Sequence, residues 1–168
     1  AARLGLREER DPERGLASDQ ATLFMGASLA RRAEVLRGRT VWEVGCGTGV
    51  LSALAARLGA ARVRATDVDP RAVELARRTA ARNGVSVEAA VADLFEGAPW
   101  AEPADILVAD LPQKPVDGAR LPLGQDGGPE GLRCLGPFLE GAPARLVPGG
   151  RLFFFAHSLA HPRALARL

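Results

Sequence analysis

The 168-residue sequence predicts an α/β fold: an open, mostly parallel sheet with helices on both faces, in three α/β/α layers. Three observations carry this. Short β-rich runs alternate with helical patterns, the first strand runs into a glycine loop that opens a helix, and aspartates stand where successive strands end. Strand and helix in alternation imply right-handed crossovers and a sheet covered on both sides.

Residues 1–17 carry many charges without periodicity and read as a charged N-terminal arm, mobile or forming an edge element, ahead of a domain covering 18–168. Ser18 is a plausible N-cap, and Leu23, Phe24, Ala27, Ala30 and Leu36 recur at roughly helical spacing, so a helix is expected over 20–37, closed by Gly38. A strand at 40–44, a helix at 49–58 and a strand at 63–66 follow. The next helix, 70–83, is punctuated at both ends: Asp69 caps it, Pro70 takes its first position and Gly84 follows it. Its Ala72, Val73, Ala76 and Ala80 can face the sheet, while Arg71, Arg77, Arg78 and Arg82 stay wet. Strands near 85–91 and 104–109, a helix within 129–146 and a strand at 151–156 complete the set.

Composition sets bounds. With 47% hydrophobic and 25% charged residues the chain fits one compact domain. The formal charge is only +2, and Lys114 is the single lysine beside many arginines, which permits a nucleic-acid partner without requiring one. Cys46 and Cys134 lie far apart without metal-ligand spacing, so both are expected to be free, buried thiols of a reducing compartment, and no metal is expected. No apolar run approaches the ~20 residues of a membrane span, and the charged amino end is unlike a signal peptide; no membrane contact and a cytoplasmic location are expected.

The chemistry begins at Glu43-Val44-Gly45-Cys46-Gly47-Thr48-Gly49. Glycines let a backbone turn sharply and come close to a ligand, and the helix start offers unpaired N–H donors. A dinucleotide fingerprint puts its third glycine at the sixth position, where Val50 stands; Gly49 comes one residue early, which disfavours NAD. About 20 residues on, Asp67 ends the second strand, where a carboxylate can accept both ribose hydroxyls. Asp69 competes for that role but is already explained as a cap. Asp93 closes the third strand, where it could accept from an adenine amino group while Leu94 or Phe95 packs on the ring.

The runs EVGCGTG, ATDVDP and VADLFEG, in that order, resemble the cofactor motifs of class I S-adenosylmethionine-dependent methyltransferases. Residues 18–156 are similar to the small-methyltransferase group, which includes release-factor glutamine and ribosomal RNA guanine methyltransferases. The resemblance implies a Rossmann-like fold with S-adenosyl-L-methionine as cofactor. It places Gly45, Cys46, Gly47 and Gly49 beside the methionine moiety with Glu43 contacting it through the loop, Asp67 and Val68 at the ribose, and Asp93 and Leu94 near the adenine. In that group the fourth strand ends in an Asn/Asp-Pro-Pro-aromatic tetrapeptide, whose side-chain oxygen and following carbonyl hold a planar nitrogen. Here Asp110-Leu111-Pro112-Gln113 keeps Asp110 and Pro112, and Leu111 offers a carbonyl, but Gln113 stands where the aromatic would stack. Asp110, Leu111 and Pro112 are the expected catalytic set.

The irregular stretch 112–129, ending Gly127-Gly128-Pro129-Glu130-Gly131, is expected to wall the acceptor side. His157 and His161 follow the last strand and read as surface histidines. The superfamily sheet normally adds a helix and a β-hairpin beyond this point; with the sequence ending at Leu168 that terminal hairpin is expected to be absent from this chain, and a homodimer or a partner to cover the sheet edge. Three functions compete. Methyl transfer to a nitrogen of RNA or of a translation-related protein leads, followed by a cofactor-binding scaffold without activity and an NAD-linked oxidoreductase.

Overall fold

The computed structural model describes residues 2–14, 16–116, 121 and 124–156; the expectations for His157 and His161, and part of the 112–129 loop, lie outside the described residues. Five parallel strands, β1 (Thr40–Val44), β2 (Arg62–Asp67), β3 (Glu88–Val91), β4 (Ala104–Ala109) and β5 (Leu146–Phe154), form one sheet in the order β3-β2-β1-β4-β5. The helices are α1 (Gln20–Ala30), α2 (Ala33–Leu36), α3 (Val50–Arg57), α4 (Pro70–Arg82) and α5 (Leu135–Gly141).

Alternation along the strands builds two cores. Val41, Val63, Ile106 and Val108 meet α1 and α3 through Met25, Leu29, Leu51 and Leu54. On the other face Trp42, Val44, Leu107 and Ala109 meet Leu135 and Phe138 of α5. No helix links β3 to β4; Phe95 and Trp100 of that connection fill the layer, each ring 5.4 Å from Trp42 and edge-on to it. The strand order reverses between β1 and β4, and open parallel sheets bind ligands in the crevice outside that point. The register brings the strand ends level, since Val44 lies opposite both Thr66 and Ala109. Gly45, Asp67 and Asp110 therefore leave the sheet at one edge.

Several local expectations change. The helix foreseen over 20–37 is two helices: Arg32 leaves helical geometry, and the turn carries Leu36 into the core with no exposure. Its cap is Asp19, whose side chain accepts from Thr22 N, because Ser18 is taken up by Glu8. β5 begins five residues early, since Pro148-Gly149-Gly150 is absorbed as an irregularity in its pairing with β4. Cys134 is half-buried, not buried as expected, while Cys46 is buried. Among the described residues no helix is long and apolar enough to cross a membrane.

The charged amino-terminal segment is docked instead of forming a mobile arm or an edge element. Leu6 is buried, Arg7 N donates to Asn83 Oδ1 at 2.9 Å, and Glu9 receives both Arg78 and Arg82 of α4. Asp11 pairs with Arg71 of the same helix at 3.3 Å.

Candidate functional site

The glycine loop is shaped by its neighbours. Gly45 N and Cys46 N both donate to Thr66 O, at 2.8 and 2.9 Å, which ties the loop to the end of β2. Gly45, Gly47 and Gly49 have φ of 73, 49 and 72°, in the region that glycine adopts without strain. Their surroundings differ. A Cβ on Gly45 would stand 2.6 Å from Leu111 Cδ2, and one on Gly49 2.6 Å from Ala76 Cβ, whereas one on Gly47 would meet nothing within 4 Å. Two of the glycines thus permit close packing, and the third bares backbone to open space.

That space belongs to a cavity of about 290 Å³ at the carboxyl edge of the sheet. Glu43, Gly45, Cys46 and Gly47 border it from the first loop, and Asp67 and Val68 from the second. Asp93 and Leu94 join from the third, and Asp110, Leu111 and Pro112 from the fourth. Gly49 is the one candidate residue that does not border it, because it is spent on the contact with α4. Phe95 does not reach the cavity either; it is turned into the core and stacks on Phe138 at 5.5 Å.

Three carboxyl groups meet at this edge, Glu43 buried and Asp67 and Asp110 half-buried. Burial raises Asp110 to about 6, opposed by the Thr22 hydroxyl, which donates to its Oδ2 at 2.9 Å. Burial, too, raises Glu43 to about 8, against hydrogen bonds from Ser52 N and Oγ and with the charges of Asp110 and Asp67 adding to the rise. Asp67 is raised by burial and steadied by backbone N–H groups, Asp69 N at 3.0 Å and Gly47 N at 2.8 Å. It therefore braces the glycine loop while bordering the cavity. Burial also holds the Cys46 thiol well above its ordinary value, so it stays neutral and is no nucleophile. Leu94, at φ 52°, is the one non-glycine among the described residues in the left-handed region. Its carbonyl is held at 3.2 Å by Thr66 Oγ1, which in turn accepts from Trp42 Nε1, and strain kept in place in this way marks functional edges.

Sequence reasoning missed part of the wall. Leu16 to Asp19, with Ala21 and Thr22, close one side, and Glu8 anchors them: its carboxylate accepts from Ser18 N and Oγ and from Thr48 Oγ1 in the glycine loop, at 2.6, 2.9 and 2.7 Å. Burial would raise Glu8, but these bonds and Arg10 outweigh it and leave its pKa lowered. No local pattern announces a contact spanning 40 residues. Gln113 is buried, and its Nε2 donates to the carbonyls of Leu111, at 3.3 Å, and of Phe155, at 2.5 Å. The Leu111 carbonyl, expected to be on offer, is thus already engaged once. Among the described residues no group of acids, histidines and cysteines could hold a metal ion.

Comparison with known proteins narrows what such a site is. A ribosomal protein L11 methyltransferase from Dechloromonas aromatica is 40% identical over 113 residues, covering 67% of this chain and 30% of that protein. One from Tolumonas auensis is 37% identical over 115 residues, covering 67% of this chain and 38% of that protein. The chain thus spans about a third of the length of these curated relatives. Among solved structures, the T. thermophilus 16S rRNA N2 G1207 methyltransferase, in complex with AdoMet and guanosine, superposes with a TM-score of 0.67 at 26% identity, covering 86% of this chain and 36% of that one. The family profile described as ribosomal protein L11 methyltransferase (PrmA) matches residues 27–117, more than half of the sequence, and the chain belongs to that family.

Proposed function

We propose that this chain is the cofactor-binding and catalytic domain of an S-adenosylmethionine-dependent methyltransferase whose acceptor is a nitrogen of a ribosomal protein. One observation carries the reading: Glu43, buried, and Asp67 and Asp110, half-buried, converge on a cavity into which Gly47 bares its backbone. Carboxylates withdrawn from water are stabilised when a cation joins them. An adenosyl sulfonium brings that charge, and the open space at Gly47 leaves room for it, so the residues present fit the group.

In this reading Gly45, Cys46 and Gly47 hold the methionine moiety with Glu43 behind them, Asp67 and Val68 take the ribose, and Asp93 and Leu94 flank the adenine. Gly49 contributes through the packing of α4 alone. When bound, the cofactor supplies an activated methyl group. The chain has to align the acceptor with it and exclude water. Asp110 accepts the acceptor's N–H, and with its pKa near 6 it takes the proton the alkylated nitrogen gives up. Leu111 offers the remaining lone pair of its carbonyl, and Pro112 stiffens the turn.

The family favours a protein acceptor. The guanosine-bound T. thermophilus relative supports a second reading, in which the nitrogen belongs to RNA. Against it, Arg71, Arg78 and Arg82 are engaged by Asp11 and Glu9 and do not form a free basic stripe. Titration calorimetry with S-adenosylmethionine, followed by transfer of its labelled methyl into separated ribosomal proteins and ribosomal RNA, tests these readings. Label in ribosomal protein L11 is expected; label only in RNA selects the second reading, and tight cofactor binding without label selects a scaffold.

A further inference from the structure

The loop after β4 lacks an aromatic at Gln113, yet an aromatic residue borders the same cavity as Asp110. Phe155, just past β5, borders the cavity. Its N donates to Ala109 O at 3.2 Å and its carbonyl accepts from Gln113 Nε2 at 2.5 Å, so its backbone is fastened to the residue before Asp110 and to the one three places after it. Phe155 packs against the core cluster of α1 and α3, and its ring meets Phe24 of α1 edge-on, 6.3 Å between centroids. Two residues before Phe24, Thr22 holds Asp110 itself. α1 thus brings a hydroxyl to Asp110, and the residue after β5 brings an aromatic to the cavity that Asp110 borders.

We propose that Phe155 is the surface on which the methyl acceptor packs while Asp110 takes its N–H, and that Gln113 is a positioning residue that fixes Phe155 there. The proposal rests on the methyl-transfer reading. A buried amide is costly unless its hydrogens are satisfied, and Gln113 satisfies them on two carbonyls whose separation then sets where Phe155 sits. The shared chemistry is an N–H donor whose framework packs on an aromatic face, which a base, a guanidinium or an amine can each present.

The test titrates 9-methylguanine, benzamidine and N-acetyllysine amide into the protein by NMR, with and without S-adenosylhomocysteine, and so distinguishes the three sources. At least one probe is expected to bind and to weaken about tenfold in Phe155→Ala while Phe155→Tyr restores it. Gln113→Met, which keeps bulk and loses the donors, is expected to weaken the same probe, and the double variant to be no worse than Phe155→Ala alone. S-adenosylhomocysteine affinity is expected to be equal in all four variants. Probe affinity indifferent to Phe155, the absence of any probe binding, or a parallel loss of S-adenosylhomocysteine affinity overturns the proposal. Failure of the wild type to bind S-adenosylhomocysteine sinks the methyl-transfer reading instead, because the arm without nucleoside still reports on Phe155.

Discussion

Adding one methyl group to Gly47 and to Gly49 separates fold from function within a single loop. Both glycines have positive φ, so alanine costs roughly 1–2 kcal/mol at either position. At Gly49 the new Cβ also falls 2.6 Å from Ala76 Cβ and 2.7 Å from Ala76 Cα, on a helix that cannot yield as a flexible side chain would. Overpacking of this kind adds about 1–3 kcal/mol, so Gly49→Ala is expected to lose about 2–5 kcal/mol in total. That is a large part of the ~5–15 kcal/mol that holds a typical domain together. At Gly47 the methyl enters the cavity and meets nothing, so Gly47→Ala is expected to lose only the backbone part, about 1–2 kcal/mol. In the proposed placement the same methyl occupies space the cofactor requires, and affinity for S-adenosylmethionine is expected to fall more than about tenfold, or about 1.4 kcal/mol. Urea denaturation and titration calorimetry on the two variants read both quantities. Equal stability losses would refute the packing assignment, and unchanged affinity in Gly47→Ala would refute the placement of the ligand.

Three further outcomes follow from the acids. Thr22→Val removes the hydroxyl that favours ionised Asp110, so the acid limb of the transfer rate, expected near pH 6, should move to higher pH; an unmoved limb means that Asp110 is not the group that titrates. Glu43 has a folded pKa of about 8, above its ordinary 4.5, so its contribution to stability is present below 4.5 and is lost as pH rises towards 8. Glu43→Gln should remove that loss, so that the two stability curves diverge by up to about 1.4 kcal/mol per pH unit across this window; parallel curves contradict the burial of the charge. Glu8→Ala should cost about 1.5–3 kcal/mol and expose the backbone of residues 2–18 to hydrogen exchange, since Ser18 and Thr48 lose a charged acceptor. Glu8 is lowered in the fold, so the wild type should show the same opening only as pH falls below 4.5.

Sequence reading succeeded where physical cause is local. α4 begins after Asp69, whose side chain accepts from Arg71 N, and it ends ahead of Gly84, as a cap, a proline and a glycine in series dictate. β4 coincides with its predicted span because six residues of mostly apolar character lie between Pro103 and the proline-rich turn. Nothing local says that Ser18 turns to Glu8 and leaves the cap to Asp19, or that Glu9 meets Arg82 across 73 residues. The amino-terminal segment reads as an arm or an edge element because Glu9 and Asp11 find their partners on α4, far along the chain.

The candidate site divides along the same line. Its acids were legible because a strand in a parallel sheet delivers the residue after it to the carboxyl edge, whatever the rest of the chain does. Which glycine opens onto free space was not legible, since the answer depends on Leu111 and Ala76, residues far along the chain that arrive only with folding. Phe155 is the sharper case. In sequence it is one of three consecutive phenylalanines at the end of a strand, and spacing gives no reason to prefer it. What distinguishes it is that its carbonyl, together with that of Leu111, takes the hydrogens of the buried Gln113 amide. Gln113, which stands where a stacking ring was expected, thus ties down through its amide an aromatic residue that borders the same cavity as Asp110.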